Sequence, residues 1–550
     1  MNSVHDVSLP KLMLKSARFL LLSSLIAFFG VFANAQPQEL VPNSPLLTPD
    51  VPANSFVALC YHDVNNGFIG NSFSIRTKDL VEQFEYLKAH YNVISLQDVR
   101  DSNQGKKNLP PKAVLITVDD GLSSFHDNVY PLLKTYKFPA VFAVVGKWTE
   151  EGAAPDYGFK DSNPKMSSWK QLKEMMKSGL VEVVSHSYNL HQGQIFNPQG
   201  NQAAMASYFK FDFASKTYQS EEEFSSIILN DIQKNNEVLK KHLGKDNTVM
   251  VWPYGKYNEL SSQAAKAAGI TTQMSLRPGL NYASDISQIG RGLVLANMDI
   301  SKFATALEHA FVDKAPLRMI RVDLDSLWKK TEGETEKGLG DLLEDTIALG
   351  PNAAMIQAVS DSGEAYFVTT HLKVRGDYLS RAAHTIKNRA QVLYTYAHLP
   401  RSFIKDTEAA KGAIRDLAKY TDFDGIFFEV SAKDDLKTIP FAALIEAARS
   451  IRPQLQFGLI GQKNVDPAMF DFALITPQQL EKDQSLPGNP AKLIVALPKD
   501  YKHDASHLIA QGYLNLFFDV NFKGYTPDED FKNLFSVLPT IPQHPRGEAK

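Results

Sequence analysis

Two adjacent carboxylates close an apolar run in this chain, where Ala113-Val114-Leu115-Ile116-Thr117-Val118 gives way to Asp119-Asp120-Gly121. The β-branched run reads as a buried strand and the carboxylates as its end. Neighbouring side chains on an extended segment point in opposite directions, so one acid can bind a metal while the other handles a proton. Taken alone, the same letters also describe a strand entering an Asp-Gly turn. Histidines at other strand ends shift that balance. The run from Phe56 leads into Tyr61-His62-Asp63-Val64, and Val181-Glu182-Val183-Val184-Ser185 ends at His186, with His191 five residues further on. That spacing does not stack two imidazoles on one face of a straight helix, whereas a strand-end turn can bring both onto one ion. One Asp and two His, with positions left for water, form the donor set of a catalytic rather than a structural divalent site. Zn, Co, Ni and Fe all suit it.

The elements that must hold these side chains alternate between strand and helix. Periodicity predicts strands over 56–64, 93–96, 113–118, 139–146, 181–186, 249–252 and 293–295. Helices are predicted over 77–90, 124–136, 168–178, 220–242 and 260–269, the fourth with three Glu in its first turn and Gly244 beyond its end. Residues 192–220 lack periodicity and read as loops bordering a cleft. In parallel α/β sheets ligands bind at the carboxyl ends of strands, where His62, Asp119, Asp120 and His186 fall. From Leu317 the alternation restarts, with strand-like runs at 319–325, 354–359, 391–396, 425–430, 456–460, 472–475, 493–497 and 514–519. Eight strands over this length are what a (β/α)8 barrel needs, although two of the connections are short for a full helix.

At 550 residues, with 44% hydrophobic and 22% charged, the chain is globular material too long for one core. Lys11, Lys15 and Arg18 precede an apolar run over 19–32, and Ala33-Asn34-Ala35 follows. This three-part pattern predicts a signal peptide over 1–35, and the Pro-, Asn- and Ser-rich stretch over 36–52 reads as a linker. No stretch reaches the ~20 apolar residues of a membrane-spanning helix, so the expectation is a soluble exported or periplasmic protein with no transmembrane span. Cys60, the only cysteine, lies far beyond the expected cleavage site. Neither a lipid-attachment cysteine nor an intrachain disulfide is expected, and its plain reading is a small buried residue. A net charge of −3 is not the balance of a nucleic-acid binder.

Thr117-Val118-Asp119-Asp120-Gly121, the His186 to His191 spacing and a later Trp252-Pro253-Tyr254-Gly255 resemble the motifs of the polysaccharide deacetylase family, carbohydrate esterase family 4. Tyr61-His62-Asp63-Val64, Phe138-Pro139-Ala140-Val141 and Asn197-Pro198-Gln199-Gly200 are similar to its exported subgroup in bacterial biofilm systems, which acts on poly-β-1,6-N-acetyl-D-glucosamine. The resemblance implies an N-terminal, barrel-like α/β domain of the NodB-like type over 53–313 and a glycoside-hydrolase-like (β/α)8 barrel over 314–550. It implies Asp119 as general base, with Asp120, His186 and His191 as ligands of one divalent metal ion. His62 becomes the general acid, supplied from the N-terminal side in a permuted arrangement, and Tyr254 lends a backbone N–H to an oxyanion hole. The family pattern has arginine where Trp252 stands, so the orientation of Asp119 must come from elsewhere. Arg291, in Gly290-Arg291-Gly292, is the candidate.

At the strand ends of the second barrel, Asp323, Asp325, Glu429 and Asp519, with Tyr394 and Tyr396, are candidates for carbohydrate contact. Members that cut polymer carry His-Asp-Asp after the run written here as Phe423-Asp424-Gly425-Ile426-Phe427-Phe428, whereas this chain continues Glu429-Val430-Ser431. Glycosidic cleavage usually needs two suitably spaced carboxyl groups, so binding without cleavage is the expectation. The resemblance therefore implies metal-dependent removal of N-acetyl groups from the β-1,6-linked polymer, with the barrel holding the partly deacetylated product and an outer-membrane export porin as a further partner. Three alternatives stand beside it: a barrel that also hydrolyses polymer, a deacetylase of chitin-like or peptidoglycan glycans, and an inactive carbohydrate-binding export scaffold. The last predicts loss of at least one of Asp119, Asp120, His186 and His191, and all four are present.

Overall fold

Strands covered on both faces need apolar residues at nearly every position, and the first sheet is built from such runs. The computed structural model describes residues 52–66, 72–154, 164–310, 316–329, 331–481, 493–497, 508 and 513–518. The expected signal peptide, the linker up to residue 51, and Asp519 lie outside the described residues. Strands β1 (Ser55–Tyr61) and β2 (Ala113–Val118) are buried throughout and pair in parallel, Phe56 opposite Ala113 and Tyr61 opposite Val118. Next come β3 (Ala140–Val144), β4 (Val181–Ser185), β5 (Val249–Val251), β6 (Thr272–Ser275) and β7 (Gln288–Leu293), each parallel to its predecessor. β7 returns to β1, with Ala58 opposite Arg291, and the sheet closes on itself. Closure gathers the carboxyl ends of these strands at one mouth.

Several elements depart from the periodicity. The strand predicted over 93–96 stops at Ile94, because Ser95 caps a helix, Leu96–Asn103, and exchanges bonds with Asp98 in a capping box. β6 has polar letters, Thr272-Gln273-Met274-Ser275, yet is buried. Gln273 makes that possible, accepting from Trp252 Nε1 at 3.0 Å and donating to Ser262 Oγ at 3.0 Å. Residues 192–220 form two short hairpins, Gly193–Ile195 with Gln202–Ala204 and Phe211–Asp212 with Thr217–Tyr218. The long helix Glu221–Leu243 follows, opened by a Ser220/Glu223 capping box and closed by left-handed Gly244. Among the described residues, no helix is long and apolar enough to cross a membrane.

The second sheet is a closed barrel of eight parallel strands: β8 (Arg318–Val322), β9 (Ala353–Gln357), β10 (Tyr394–Leu399), β11 (Gly425–Glu429), β12 (Gln456–Ile460), β13 (Phe472–Ile475), β14 (Leu493–Leu497) and β15 (Asn515–Phe518). Met319, Met355, Tyr396, Phe427, Leu474, Ile494 and Phe517 pack together inside it. No helix connects β12 to β13. β10 runs three residues later than the predicted 391–396, because Gln391 holds a left-handed bend and Tyr394 pairs with Ala353 at the start of both strands. Tyr394 and Tyr396 therefore lie toward the amino end of the strand, away from the mouth. Tyr396 is buried, its hydroxyl donating to Gln456 Oε1 at 2.9 Å. Neither tyrosine is a groove residue.

A buried charged cluster joins the two barrels. Tyr208 Oη donates to Asp422 Oδ1 at 2.6 Å, Lys387 Nζ lies 3.1 Å from Asp422 and 2.9 Å from Asp424, and the Arg452 guanidinium sits 4.6 Å over the Tyr208 ring. Burial acts to raise the Asp422 carboxyl, but Lys387, Lys256 and Arg452 outweigh it and hold it far below the usual carboxylate range. A carboxylate depressed on folding stabilises above its unfolded pKa of about 4, and that contribution is lost as pH falls from there toward the folded value. Replacing Asp422 by Ala removes one of the two carboxylates paired with Lys387, with Lys256 and Arg452 close by. Urea unfolding at pH 7 should show Asp422→Ala destabilised by about 3–5 kcal/mol, as for other broken buried pairs, with Asp422→Ala/Lys387→Met recovering part of the loss.

Candidate active site

The chain leaves β2 through two consecutive left-handed residues, Asp120 (φ 76°) and Gly121 (φ 83°). Asp tolerates that region better than most side chains, at a strain of about 1 kcal/mol. A Cβ on Gly121 would stand 3.3 Å from that of Val144. The bend sends the two carboxylates to different partners. The Asp119 amide still extends the ladder, donating to the Tyr61 carbonyl at 2.9 Å, whereas Asp120 has turned away from the strand.

Asp120 meets the histidines. Nε2 of His186 and Nε2 of His191 each lie 3.3 Å from Asp120 Oδ1, and the three donor atoms fall within 4.8 Å of one another. His186 Nδ1 is 2.7 Å from the Val251 carbonyl, so its N–H donates there and its Nε2 faces the carboxylate. A lone pair facing a carboxylate is repulsive unless a cation or proton lies between them, and an imidazole anchored through its far nitrogen is the usual partner of a metal ion. Burial pushes the Asp120 carboxyl up, but its contacts with the His186 and His191 imidazoles and the nearby His62 hold it far below its ordinary value. Two imidazoles and one carboxylate fit a divalent ion with positions to spare. The rings of Trp148 and Tyr254 flank His191 at 4.7 Å and 4.5 Å. Tyr254 reaches it from a left-handed bend after β5.

Asp119 meets a guanidinium. Arg291, fully buried on β7, places Nη1 2.7 Å from Asp119 Oδ1 and Nη2 2.9 Å from Oδ2, while Nη1 also donates to Thr117 Oγ1 at 2.9 Å and Nε to the Ser275 carbonyl at 3.2 Å. Burial works to raise the Asp119 carboxyl, and the Arg291 charge outweighs it, leaving the group below its usual range. Trp252 does not take part: it is buried, stacked on Tyr257 and bonded to Gln273. Cys60 Sγ stands 3.4 Å from Asp119 Oδ2, and burial raises its thiol well above the usual value, so it donates. A ring nitrogen of His62 falls within 4.8 Å of both the Cys60 sulfur and an Asp119 oxygen. Burial lowers the His62 imidazole, against the opposing pull of Asp120 and Asp119.

The second barrel has its own polar mouth. Two positions beyond the interior residues Met319, Met355, Tyr396 and Phe427 stand Arg321, Gln357, His398 and Glu429. His398 Nε2 lies 3.0 Å from Glu429 Oε2, and that bond lowers the Glu429 carboxyl. Asp323 caps a short helix, Leu324–Leu327, by accepting from the Asp325 and Ser326 amides. Asp325 accepts from Tyr366 Oη, Gln357 Nε2, the Asp361 amide and Arg375 Nη1 between 2.5 and 3.0 Å.

Sequence reading passed over Cys60, Trp148 and His398. Cys60 is two residues before His62 and so shares its strand face, a signal available from alternation alone. Trp148 follows β3 in a helix, Gly146–Glu151, too short to show periodicity. His398 lay outside the predicted limits of its strand.

The polysaccharide deacetylase family model matches residues 106–273, and that of hypothetical glycosyl hydrolase family 13 matches residues 321–410. The chain is 29% identical over 395 residues to poly-beta-1,6-N-acetyl-D-glucosamine N-deacetylase of Escherichia coli (strain K12), covering 69% of this chain and 58% of that protein. It thus spans less than two thirds of that relative's length. Identity is also 29% over 239 residues with the enzyme of the same name from Staphylococcus aureus (strain MSSA476), covering 40% of this chain and 72% of that one. Among solved structures, the BpsB deacetylase domain from Bordetella bronchiseptica is 35% identical, over 44% of this chain and 97% of that one, with a TM-score of 0.40. By these sequence matches, this chain belongs to the polysaccharide deacetylase family.

Proposed function

We propose that this chain removes N-acetyl groups from poly-β-1,6-N-acetyl-D-glucosamine by metal-dependent hydrolysis and that its second barrel binds the partly deacetylated polymer. The observation that carries the first part is the division of two adjacent acids between two partners, Asp119 to a guanidinium and Asp120 to a pair of imidazoles. The names of the E. coli and S. aureus relatives support the β-1,6 polymer over β-1,4 glycans. The segment over 1–35, read as a signal peptide, supports action in the periplasm, with an export porin downstream.

Asp120, His186 and His191 would hold the ion, with Zn, Co, Ni and Fe all suited to the donors. Such an ion, when bound, polarises the acetamide carbonyl and acidifies water. Asp119 is kept ionised and aimed by Arg291, so it can take the proton of the attacking water. His62 is neutral at rest because burial lowers its imidazole. Lying within 4.8 Å of the Asp119 oxygen, it can accept that proton and pass it to the departing amine nitrogen. The Tyr254 backbone N–H is the proposed oxyanion donor.

For the second barrel, the supporting observation is the state of its acids. Asp325 and Glu429 are both held below their usual range by hydrogen-bond donors, although burial opposes this at each. Neither is suited to stay protonated near neutrality, which a glycosidic general acid must do. An ionised, half-exposed Glu429 instead attracts the ammonium groups that deacetylation creates.

Elemental analysis and acetate release from defined β-1,6 and β-1,4 oligomers test the first barrel. Asp120→Ala, His186→Ala and His191→Ala should each lose metal and activity together, and full metal occupancy in all three would sink the site. Asp119→Asn and His62→Ala should keep their metal while turnover falls by about 10²–10⁴-fold, the usual worth of a proton-transfer group. Arg291→Lys should behave like a milder Asp119 variant, because an ammonium cannot make the two-pronged contact. For the second barrel, full-length Glu429→Gln should retain partly deacetylated polymer more weakly than the parent, with no change in polymer length in either. Shortening by the parent that vanishes in the variant would instead make the barrel a hydrolase.

A further inference from the structure

The two histidines of the candidate metal site are joined by a turn whose backbone groups are all accounted for. The Ser187 amide donates to Ser185 Oγ at 3.2 Å, the Leu190 amide to Ser187 Oγ at 3.0 Å, and the Gly146 and Lys147 amides donate to the Ser187 and Tyr188 carbonyls at 3.0 and 3.1 Å. Gln192 covers the other two carbonyls, its side-chain amide donating to Asn189 and its backbone amide to Leu190, both at 2.8 Å. That leaves the amides of Tyr188 and Asn189. Both point at one carboxylate on the helix Glu221–Leu243: Tyr188 N lies 2.8 Å from Asp231 Oδ1 and Asn189 N lies 2.7 Å from Oδ2.

We propose that Asp231 is a positioning residue for the metal centre, its carboxylate fixing the turn that sets His186 and His191 on Asp120. The inference rests on reading that triad as a metal site. Consecutive amides converge on one anion where the backbone turns sharply, and the left-handed Ser187, at φ 71°, makes such a turn. An anion is needed because two N–H groups face it, and a carboxylate offers an acceptor oxygen to each. An asparagine in its place offers one oxygen and turns an NH2 against the second amide. The same helix closes the turn from another side, with Lys234 Nζ 3.7 Å over the Tyr188 ring and Asn235 Nδ2 donating to Ser185 Oγ at 2.7 Å. The opposite wall is packed tightly against this helix, since a Cβ on Gly146 would come within 2.0 Å of Asn235 Oδ1. With both walls closed, a loosened carboxylate clamp moves the histidines relative to Asp120 rather than the helix relative to the sheet.

The test is zinc affinity of the metal-free full-length chain, measured by competition with a chromogenic chelator. Asp231→Asn should weaken it by about 10–100-fold, the usual effect of losing a partner that orients metal ligands. Asp231→Glu keeps the charge but shifts it by one methylene and should fall between parent and Asn. Ile228→Val trims a buried apolar side chain of the same helix while keeping the carboxylate, and should leave affinity unchanged. Parent-like affinity in Asp231→Asn, or an equal loss in Ile228→Val, overturns the role of Asp231 alone. A parent that takes up no zinc overturns the metal reading and this inference with it.

Discussion

A guanidinium and a carboxylate with almost no access to water hold this site together. Arg291 and Asp119 are each nearly inaccessible, and isolated charges so placed would be prohibitively costly. The pair is tolerable because Arg291 is also bonded to Thr117 and the Ser275 carbonyl, so its donors point at acceptors on two strands, β2 and β6. That demand reaches back to the topology. β7 must lie beside β1, and β1 beside β2, for Arg291 to reach Asp119, and with β2 to β7 paired in turn these two contacts close the sheet.

The pair also explains how adjacent residues of one chemical type come to differ in role. On a continuing strand the two acids would simply alternate across the sheet, alike in all but the face they occupy. The left-handed bend at Asp120 breaks that symmetry, sending one acid toward a fixed cation and the other toward imidazoles that a cation or proton must bridge. Each carboxylate stays ionised for a separate reason. Trp252 then becomes intelligible as a packing residue, because the orienting charge enters from β7 instead.

The second barrel repeats the architecture with different chemistry at its mouth. Its acids are already committed to Arg375, Tyr366, His398 and backbone amides, and this quenches their basicity. The contact between barrels combines aromatic packing of Tyr420 against Phe209 and Tyr218 with a largely buried ionic cluster, drawing Lys387, Asp422, Asp424 and Arg452 from the second barrel and Tyr208 from the first. Such a junction specifies one docking geometry more strongly than greasy packing would, since displaced charges have no second set of partners.

What was legible in the sequence follows from local rules. All-apolar runs announced the parallel strands, capping letters announced the long helix, and acids or histidines at the ends of such runs announced a mouth, because each signal is carried within a few residues. Where one local rule contradicted another, the reading went astray: Leu96 looked like the end of a strand although Ser95 and Asp98 had already begun a helix, and β10 was shifted by three residues with Tyr394 and Tyr396 misplaced. The long-range facts had no local signature. Gly290-Arg291-Gly292 carries no local sign of the carboxylate it meets, and only the arginine missing from the family pattern at Trp252 made Arg291 the candidate for Asp119; Asp231 looks like any polar letter beside the apolar face of an amphipathic helix. Cys60 reads as a small buried residue until Asp119 is set 3.4 Å away. The sequence alone determined two parallel barrels and the residue types at their mouths; which side chain meets which was decided only by the closure of the sheets, because hydrogen bonds and ion pairs act over a few ångströms and only the folded chain brings distant residues that close.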